Sequence, residues 1–227
     1  MKPYYEDGYV TIYHGDCQDM DLPPVDLVLT DPPWGIRTVV DAKRFTRAAS
    51  NWWRQVDTST VRTHKAITGD DELFDPAPFI QQPAILWGGH CFANQLPPSP
   101  GWLIWDKRLG AEQVAEKGWP LGEAELAWTN IIGATRVFRN LWSGLLRSEE
   151  KGEHYHPTQK PVRLMAWCIQ QASKFNPQLI LDPFLGSGTT AVAAKTLNRK
   201  CIGVEIEERY CEIAANRCRQ TVMELGI

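Results

Sequence analysis

Short apolar runs alternate with amphipathic stretches along this chain, the pattern of an α/β domain built on a largely parallel sheet. Residues 25–30 read as a buried strand ending at Asp31, and 84–87 as another, stopped by Gly88 and Gly89. The runs 102–105, 125–128, 178–181 and 201–204 repeat that signature. Pro161 suits the first turn of a helix reaching about Lys174, a second helix starts near Ser187, and a last one runs from Glu207 to about Met223. Two stretches break the alternation. Residues 35–69 hold few apolar runs, and a mobile insertion over 36–69 is expected; long loops without structure of their own tend to be functional or disordered. The segment 107–153 is mixed, with turn signals at Gly110, Gly118, Gly133 and Gly144, and reads as a small inserted module.

The chain has 227 residues, which suits one medium domain with insertions. Its 43% hydrophobic and 22% charged residues are ordinary for a soluble globular protein. No apolar stretch is long enough for a membrane span, and the first residues lack the apolar core of a signal peptide. Six cysteines (Cys17, Cys91, Cys168, Cys201, Cys211, Cys218) are scattered without a CxxC pair, which predicts reduced thiols and a cytoplasmic protein rather than a disulfide framework. The net charge of -3 does not announce a nucleic-acid binder, but the average hides local patches. Residues 37–65 carry seven basic side chains, Lys43, Arg44 and Arg47 among them, against two acidic ones. Residues 133–148 carry Arg136, Arg139 and Arg147 and no acid. Either run is equally readable as a solvated face. Trp34, Trp52 and Trp53 lie in or near the first patch, and aromatics interleaved with Arg and Lys suit unstacked bases and phosphates.

Three motifs carry chemistry. Asp182-Pro183-Phe184-Leu185-Gly186-Ser187-Gly188-Thr189-Thr190 stands where a strand gives way to a helix. Its glycines let backbone approach a ligand, and the helix start offers free N–H groups to an anion. It is neither a Walker A loop nor GxGxxG, and a glycine turn alone could be plain strand-to-helix geometry. Glu205, at the end of the next strand, changes that balance, because an acid roughly 20 residues on is where a ribose diol is held. A nucleoside-containing cofactor is therefore favoured. The second motif, Asp31-Pro32-Pro33-Trp34, directly follows the strand 25–30. Two prolines stiffen the turn and fix the Asp31 carboxylate and the Pro32 carbonyl at the sheet edge. An exocyclic base amine is a poor nucleophile because its lone pair is delocalised into the ring. Two acceptors aimed at its hydrogens favour a tetrahedral nitrogen and free that lone pair, while Trp34 could stack on the base. The bland reading is a proline-rich turn with an incidental tryptophan. The third motif is His154-Tyr155-His156-Pro157-Thr158-Gln159-Lys160-Pro161. Its paired histidines lack a third ligand at convincing spacing, so no metal site is expected. Polar residues there precede a helix start and can meet a small charged ligand.

Together these residues resemble the β class of DNA amino-methyltransferases, a circularly permuted family whose catalytic motif precedes its cofactor motif. Asp31, Pro32, Pro33 and Trp34 match the catalytic tetrapeptide. His156, Thr158, Gln159 and Lys160 resemble the family's pre-helix cofactor motif, and Asp182 to Thr190 its main cofactor loop. Glu205 matches the ribose-binding acid, and Asp16 and Cys17 lie in an element whose aspartate contacts the cofactor's adenine. The five matches keep the family's order and span most of the chain. The resemblance implies a Rossmann-like methyltransferase fold with helices on both faces of a mostly parallel sheet, S-adenosylmethionine as methyl donor, double-stranded DNA as substrate, and base flipping. It divides a single domain, 1–227, into a catalytic half (1–106), a target-recognition segment (107–153) and a cofactor half (154–227). Arg136 and Arg139 are then candidates for guanine contacts. Related enzymes are often homodimers, and a restriction endonuclease partner is not legible. Aspartate at the first motif position favours N6 of adenine; N4 of cytosine is the alternative. An RNA adenine methyltransferase and a non-catalytic DNA-binding subunit are rival readings.

Overall fold

Strands form where the chain is apolar without interruption, or apolar at every second residue, and the computed structural model pairs them into one main sheet. The structure describes residues 2–35, 68–108, 122–143, 146–147, 150, 155 and 158–224. In chain order the strands are β1 (Tyr5–Glu6), β2 (Val10–His14), β3 (Leu27–Thr30), β4 (Ala84–Trp87), β5 (Trp102–Asp106), β6 (Ala124–Thr129) and β7 (Arg136–Arg139). A separate hairpin of β8 (Trp142–Ser143) and β9 (Leu146–Arg147) follows, then β10 (Leu179–Asp182) and β11 (Lys200–Glu205). The helices are α1 (Val162–Gln171), α2 (Thr189–Thr196) and α3 (Glu208–Glu224).

The main sheet has the order β1-β2-β11-β10-β3-β4-β6-β5-β7. Its centre, from β2 to β4, is parallel as expected. The margins are not: β1 is antiparallel to β2, and β6 runs antiparallel between β4 and β5. The segment 107–153, read as a small inserted module around the strand run 125–128, supplies β6 and β7 to this sheet. The reason lies in the buried end of 124–129, where Ala127 joins the core of Trp87 and Trp128 packs with Leu86 on the other face. From β10 the chain passes through α2 to β11 on one side, whereas β3 leads to β4 on the other. Neighbouring parallel strands whose outgoing chains diverge leave a crevice at their carboxyl ends.

Alternate strand residues face opposite layers. Val10, Ile12, Leu27, Leu29, Ile85 and Trp87 meet Leu164 and Cys168 of α1, Ala191 and Ala194 of α2, and Cys211 and Ala214 of α3. Each large side chain buried there contributes about 1.5–3 kcal/mol. Val28, Ala84, Leu86 and Leu181 point the other way, toward Phe74 and Phe92. Among the described residues that face is covered by loops and the short 3₁₀ turns Ala77–Phe79 and Ala93–Gln95, while the three α-helices share the first. Alanines let α2 sit closely between α1 and α3. At Gly188 a Cβ would lie 2.7 Å from the Ala214 Cβ. Among the described residues no helix is long and apolar enough to cross a membrane.

A buried cation ties β1 and β2 to the helices. Lys195 Nζ donates to Asp7 Oδ2 at 2.5 Å and to the Cys218 carbonyl at 3.0 Å, and the Tyr5 hydroxyl donates to the same Asp7 oxygen at 2.7 Å. Burial alone would raise the Asp7 carboxyl, but the hydrogen bonds from Lys195 and Tyr5 outweigh it and hold it at about 2. A depressed carboxyl stabilises the fold above its unfolded value and loses that effect as pH falls through its folded one. Asp7→Ala is therefore expected to destabilise the protein by about 1–3 kcal/mol at neutral pH. In thermal melts the gap to wild type should close as pH drops from 3.8 toward about 2. A gap independent of pH would contradict this role.

Candidate active site

β3 ends at Thr30, and the turn Asp31-Pro32-Pro33-Trp34 leaves the sheet at its carboxyl edge. The prolines donate nothing, so the turn's free donors need an acceptor. Asp70, which is 4% exposed, provides one: its Oδ1 accepts from the backbone N–H of Trp34 at 3.1 Å and of Gly35 at 2.9 Å. The Trp34 ring lies where a side chain on residue 88 would stand. Gly88 has φ +75°, and a Cβ there would come within 2.0 Å of the Trp34 Nε1, so glycine is required twice over. His90 meets the ring edge-on, with centroids 5.5 Å apart.

Both oxygens of Asp31 are engaged. Oδ1 accepts from Trp34 Nε1 at 3.2 Å, and Oδ2 is held by the Lys160 ammonium. Lys160 also stands 3.1 Å from Glu125 Oε2, whose other oxygen pairs with Lys107 at 2.7 Å. Burial is the largest influence on Asp31 and leaves its carboxyl raised, although Lys160 pulls it back. Burial acts on Glu125 in the same sense, yet its two lysines outweigh it and hold that carboxyl at about 2. The resemblance groups Lys160 with the cofactor residues; its ammonium lies beside Asp31, Glu125 and the Trp34 ring.

The cofactor motif begins on the adjacent strand. Asp182 closes β10, and its Oδ1 accepts from the Thr30 hydroxyl at 2.6 Å and from the Phe184 N–H at 3.2 Å. Burial pushes the Asp182 carboxyl up to about 6. After Pro183, Phe184 packs edge-on against Phe74 and Phe79. Leu185 donates its N–H to the Val204 carbonyl at 2.9 Å and presses on Gly203, where a Cβ would lie 2.5 Å from the leucine methyl. Gly186 has φ +54° with open space above it, and Gly188 has φ +83° at the start of α2. Glu205 is locked from both sides: Oε2 accepts from the Gly186 N–H and Oε1 from the Glu207 N–H, each at 2.8 Å. Burial raises its carboxyl. Gly15 donates to the Glu205 carbonyl at 3.0 Å, which brings Asp16 and buried Cys17 alongside. Asp16 itself caps the 3₁₀ turn Cys17–Asp19.

The pre-helix segment is fastened to this loop by residues the sequence reading missed. Arg217 Nη1 donates to the Ser187 carbonyl at 2.8 Å, to the Ser187 hydroxyl at 3.3 Å and to the Thr189 hydroxyl at 3.2 Å. Its Nη2 lies 3.6 Å from Glu150 Oε2. Glu150 in turn accepts from Gln159 Nε2 at 2.9 Å and from the Val162 N–H at 2.7 Å. Gln159 thus orders the chain before α1, Thr158 is exposed, and Thr190 is buried at the start of α2. His156, Lys43, Arg44 and Arg47 lie outside the described residues, as do most of 36–69. Thr30, Lys107 and Glu125 had only a faint signal, a polar residue within or close to an apolar run, and Glu150 and Arg217, in polar surroundings, had none.

The two arginines proposed to read bases are exposed on β7, the outermost strand. Arg139 pairs with Asp106 at the end of β5 that faces the catalytic edge, and Arg136 lies at the opposite end of β7. Side chains three residues apart on a strand leave opposite faces. The pair therefore cannot act as one unit.

Asp16 and Asp31 follow β2 and β3, and Asp182 and Glu205 end β10 and β11; the four strands run parallel, so these carboxylates gather along one edge. That edge fits a nucleoside-containing cofactor with a cationic centre. Glu205 keeps lone pairs for ribose hydroxyls after its two backbone bonds. The space over Gly186 admits a ligand against bare backbone, and α2 presents its N-terminus beside it.

Comparison with known proteins agrees with this geometry. A family model described as DNA methylase, covering N6 and N4 methyltransferases, matches residues 114–216. The Type II methyltransferase M.HinfI of Haemophilus influenzae is 41% identical over 259 aligned positions, covering 97% of this chain and 71% of that one. The chain belongs to the DNA amino-methyltransferase family. M.ScaI of Streptomyces caespitosus, another Type II methyltransferase, is 27% identical to this methyltransferase across 99% of its length and 86% of its own. The PvuII DNA methyltransferase, cytosine-N4-specific, superposes on the methyltransferase with a TM-score of 0.56 at 16% identity, covering 95% of this chain and 88% of that one. That superposition supports the Rossmann-like methyltransferase fold. The motifs matched to the cofactor thus sit in an enzyme that methylates DNA.

Proposed function

We propose that this enzyme methylates N6 of a flipped-out adenine at a specific site in duplex DNA, in the cytoplasm. S-adenosylmethionine supplies the activated methyl group. The observation that carries the reading is the 2.6 Å hydrogen bond from Thr30 to Asp182, which fixes the catalytic and cofactor turns against each other on adjacent strands. Asp31 and the Pro32 carbonyl accept the hydrogens of the target amine, Pro33 stiffens the turn and Trp34 stacks on the base. Gly186, Ser187, Gly188, Thr189 and Thr190 shape the cofactor loop, Glu205 takes the ribose, and Asp16 and Cys17 flank the adenine. A single domain carries these parts, with target recognition in 107–153, where Arg136 and Arg139 lie, and in the basic insertion.

The choice of adenine rests on Asp31 in place of a serine. Incubation with S-adenosylmethionine and unmethylated duplex DNA, followed by digestion to nucleosides and mass spectrometry, decides it. N6-methyladenine is the expected product. N4-methylcytosine would transfer the same chemistry to the other base, and labelling of matched RNA but not DNA would overturn the substrate.

A further inference from the structure

Asp31 has a donor on each oxygen, so a target amine that offers its own hydrogen competes with them for the carboxylate's charge and lone pairs, and gains most when one of them gives way. Trp34 is a poor candidate to yield, since its ring is seated over Gly88. Lys160 is a better one. It already reaches a second acceptor, Glu125 Oε2 at 3.1 Å, and that glutamate is anchored by Lys107. The charges alternate along the row: Lys107 positive, Glu125 negative, Lys160 positive, Asp31 negative. We propose that Lys160 is a positioning residue that closes Asp31 in the resting enzyme and shifts onto Glu125 when a flipped base presents its amine. This rests on Asp31 being the acceptor of that amine.

The shift involves only the end of one side chain. Lys160 is 4% exposed, and an unpaired ammonium at such a site would be costly. Glu125 removes that cost because the ammonium keeps an anionic partner in either position. The groups facing Asp31 are the Lys160 ammonium, the Glu125 carboxylate, the Trp34 indole and, from β10, the Asp182 carboxylate. Lys160 faces Asp31, Glu125 and the Trp34 ring, whose centroid is 5.3 Å from Nζ. In the resting state Lys160 also opposes protonation of Asp31, since burial works against the charged carboxylate.

The two variants Lys160→Gln and Glu125→Gln separate this role from a structural one through the pH dependence of kcat at saturating DNA and S-adenosylmethionine. Activity requires the ionised Asp31. Without Lys160 the Asp31 carboxyl rises further, so the acidic limb moves to higher pH. At neutral pH kcat should fall roughly ten- to hundredfold and recover as pH is raised. Without Glu125 a neighbouring negative charge is gone, so the limb moves to lower pH. There kcat should fall at every pH, because Lys160 has nowhere to go. Opposite displacements of the limb, with cofactor affinity by calorimetry unchanged, are the expected result. Limbs that stay put, or move in the same direction, overturn the proposal. If Lys160→Gln fails to fold, the Glu125→Gln limb decides alone: a shift to lower pH supports the proposal, and an unmoved or raised limb ends it. Asp31→Ala run alongside keeps the two ideas distinct. Turnover surviving in Asp31→Ala defeats the acceptor reading, whereas loss there with unmoved limbs defeats only the shift of Lys160.

Discussion

Replacing Asp31 with alanine is expected to abolish methyl transfer, by about a thousandfold or more, while the cofactor still binds. The methyl donor needs a nitrogen lone pair, and the ring holds that pair until acceptors draw the amine hydrogens out of plane. Asp31 is positioned for this by β3 behind it, the two prolines beside it and Asp70 beneath the turn. Removing its carboxylate leaves the Pro32 carbonyl as the remaining acceptor in the motif. The Lys160 ammonium stays paired with Glu125, so the fold should tolerate the change. Tritiated methyl incorporation into DNA measures the loss, and calorimetry with S-adenosylmethionine measures what is kept. Retained turnover would remove Asp31 from the mechanism.

Gly186→Val should act on the opposite partner, weakening cofactor binding by roughly ten- to a hundredfold or more. A β-branched residue at φ +54° is strained by about 1–3 kcal/mol; the free loop relaxes to relieve it, and restoring the bound shape costs that energy at about tenfold in affinity per 1.4 kcal/mol. The added methyls would also fill the open space over the loop, where the ligand approaches. Displacement of the Gly186 N–H would free Glu205 from one of its two backbone bonds. Gly186→Ala, with less bulk at the same backbone angle, should fall between wild type and valine. Normal affinity for the valine variant in calorimetry would show that the loop does not line the cofactor.

The centre of the fold was legible where its strands are short apolar runs bounded by motif residues. The run 84–87 is a strand residue for residue, and 102–105, 125–128, 178–181 and 201–204 fall within one residue of theirs. β2 carried a readable alternation of Val10 and Ile12 and was overlooked because its polar residues break the apolar run. β7 was hidden for a different reason: an edge strand needs little burial, and Val137 on it is 41% exposed. The motif residues were readable from order and identity. Their partners were not, because Lys160 meets Asp31 across 129 positions and Thr30 meets Asp182 across 152. Sequence spacing says nothing about contacts created by strand adjacency. The antiparallel insertion of β6 was equally invisible, since alternation fixes which face is buried but not the direction of the strand.

The position of β10 and β11 has a consequence for how the molecule assembles. Among the described residues, one group of strands, β1 and β2, and another, from β3 to β7, are joined in the sheet only through this late pair. During synthesis the early strands must wait as two unjoined fragments, with the flanks of β2 and β3 bare, until residues 179–205 emerge. Such distant pairings fold slowly. Exposed edges in that interval invite association with other chains. The same arrangement prevents a half-made chain from assembling the crevice, so methyl transfer starts only after the last two strands have slotted between the fragments.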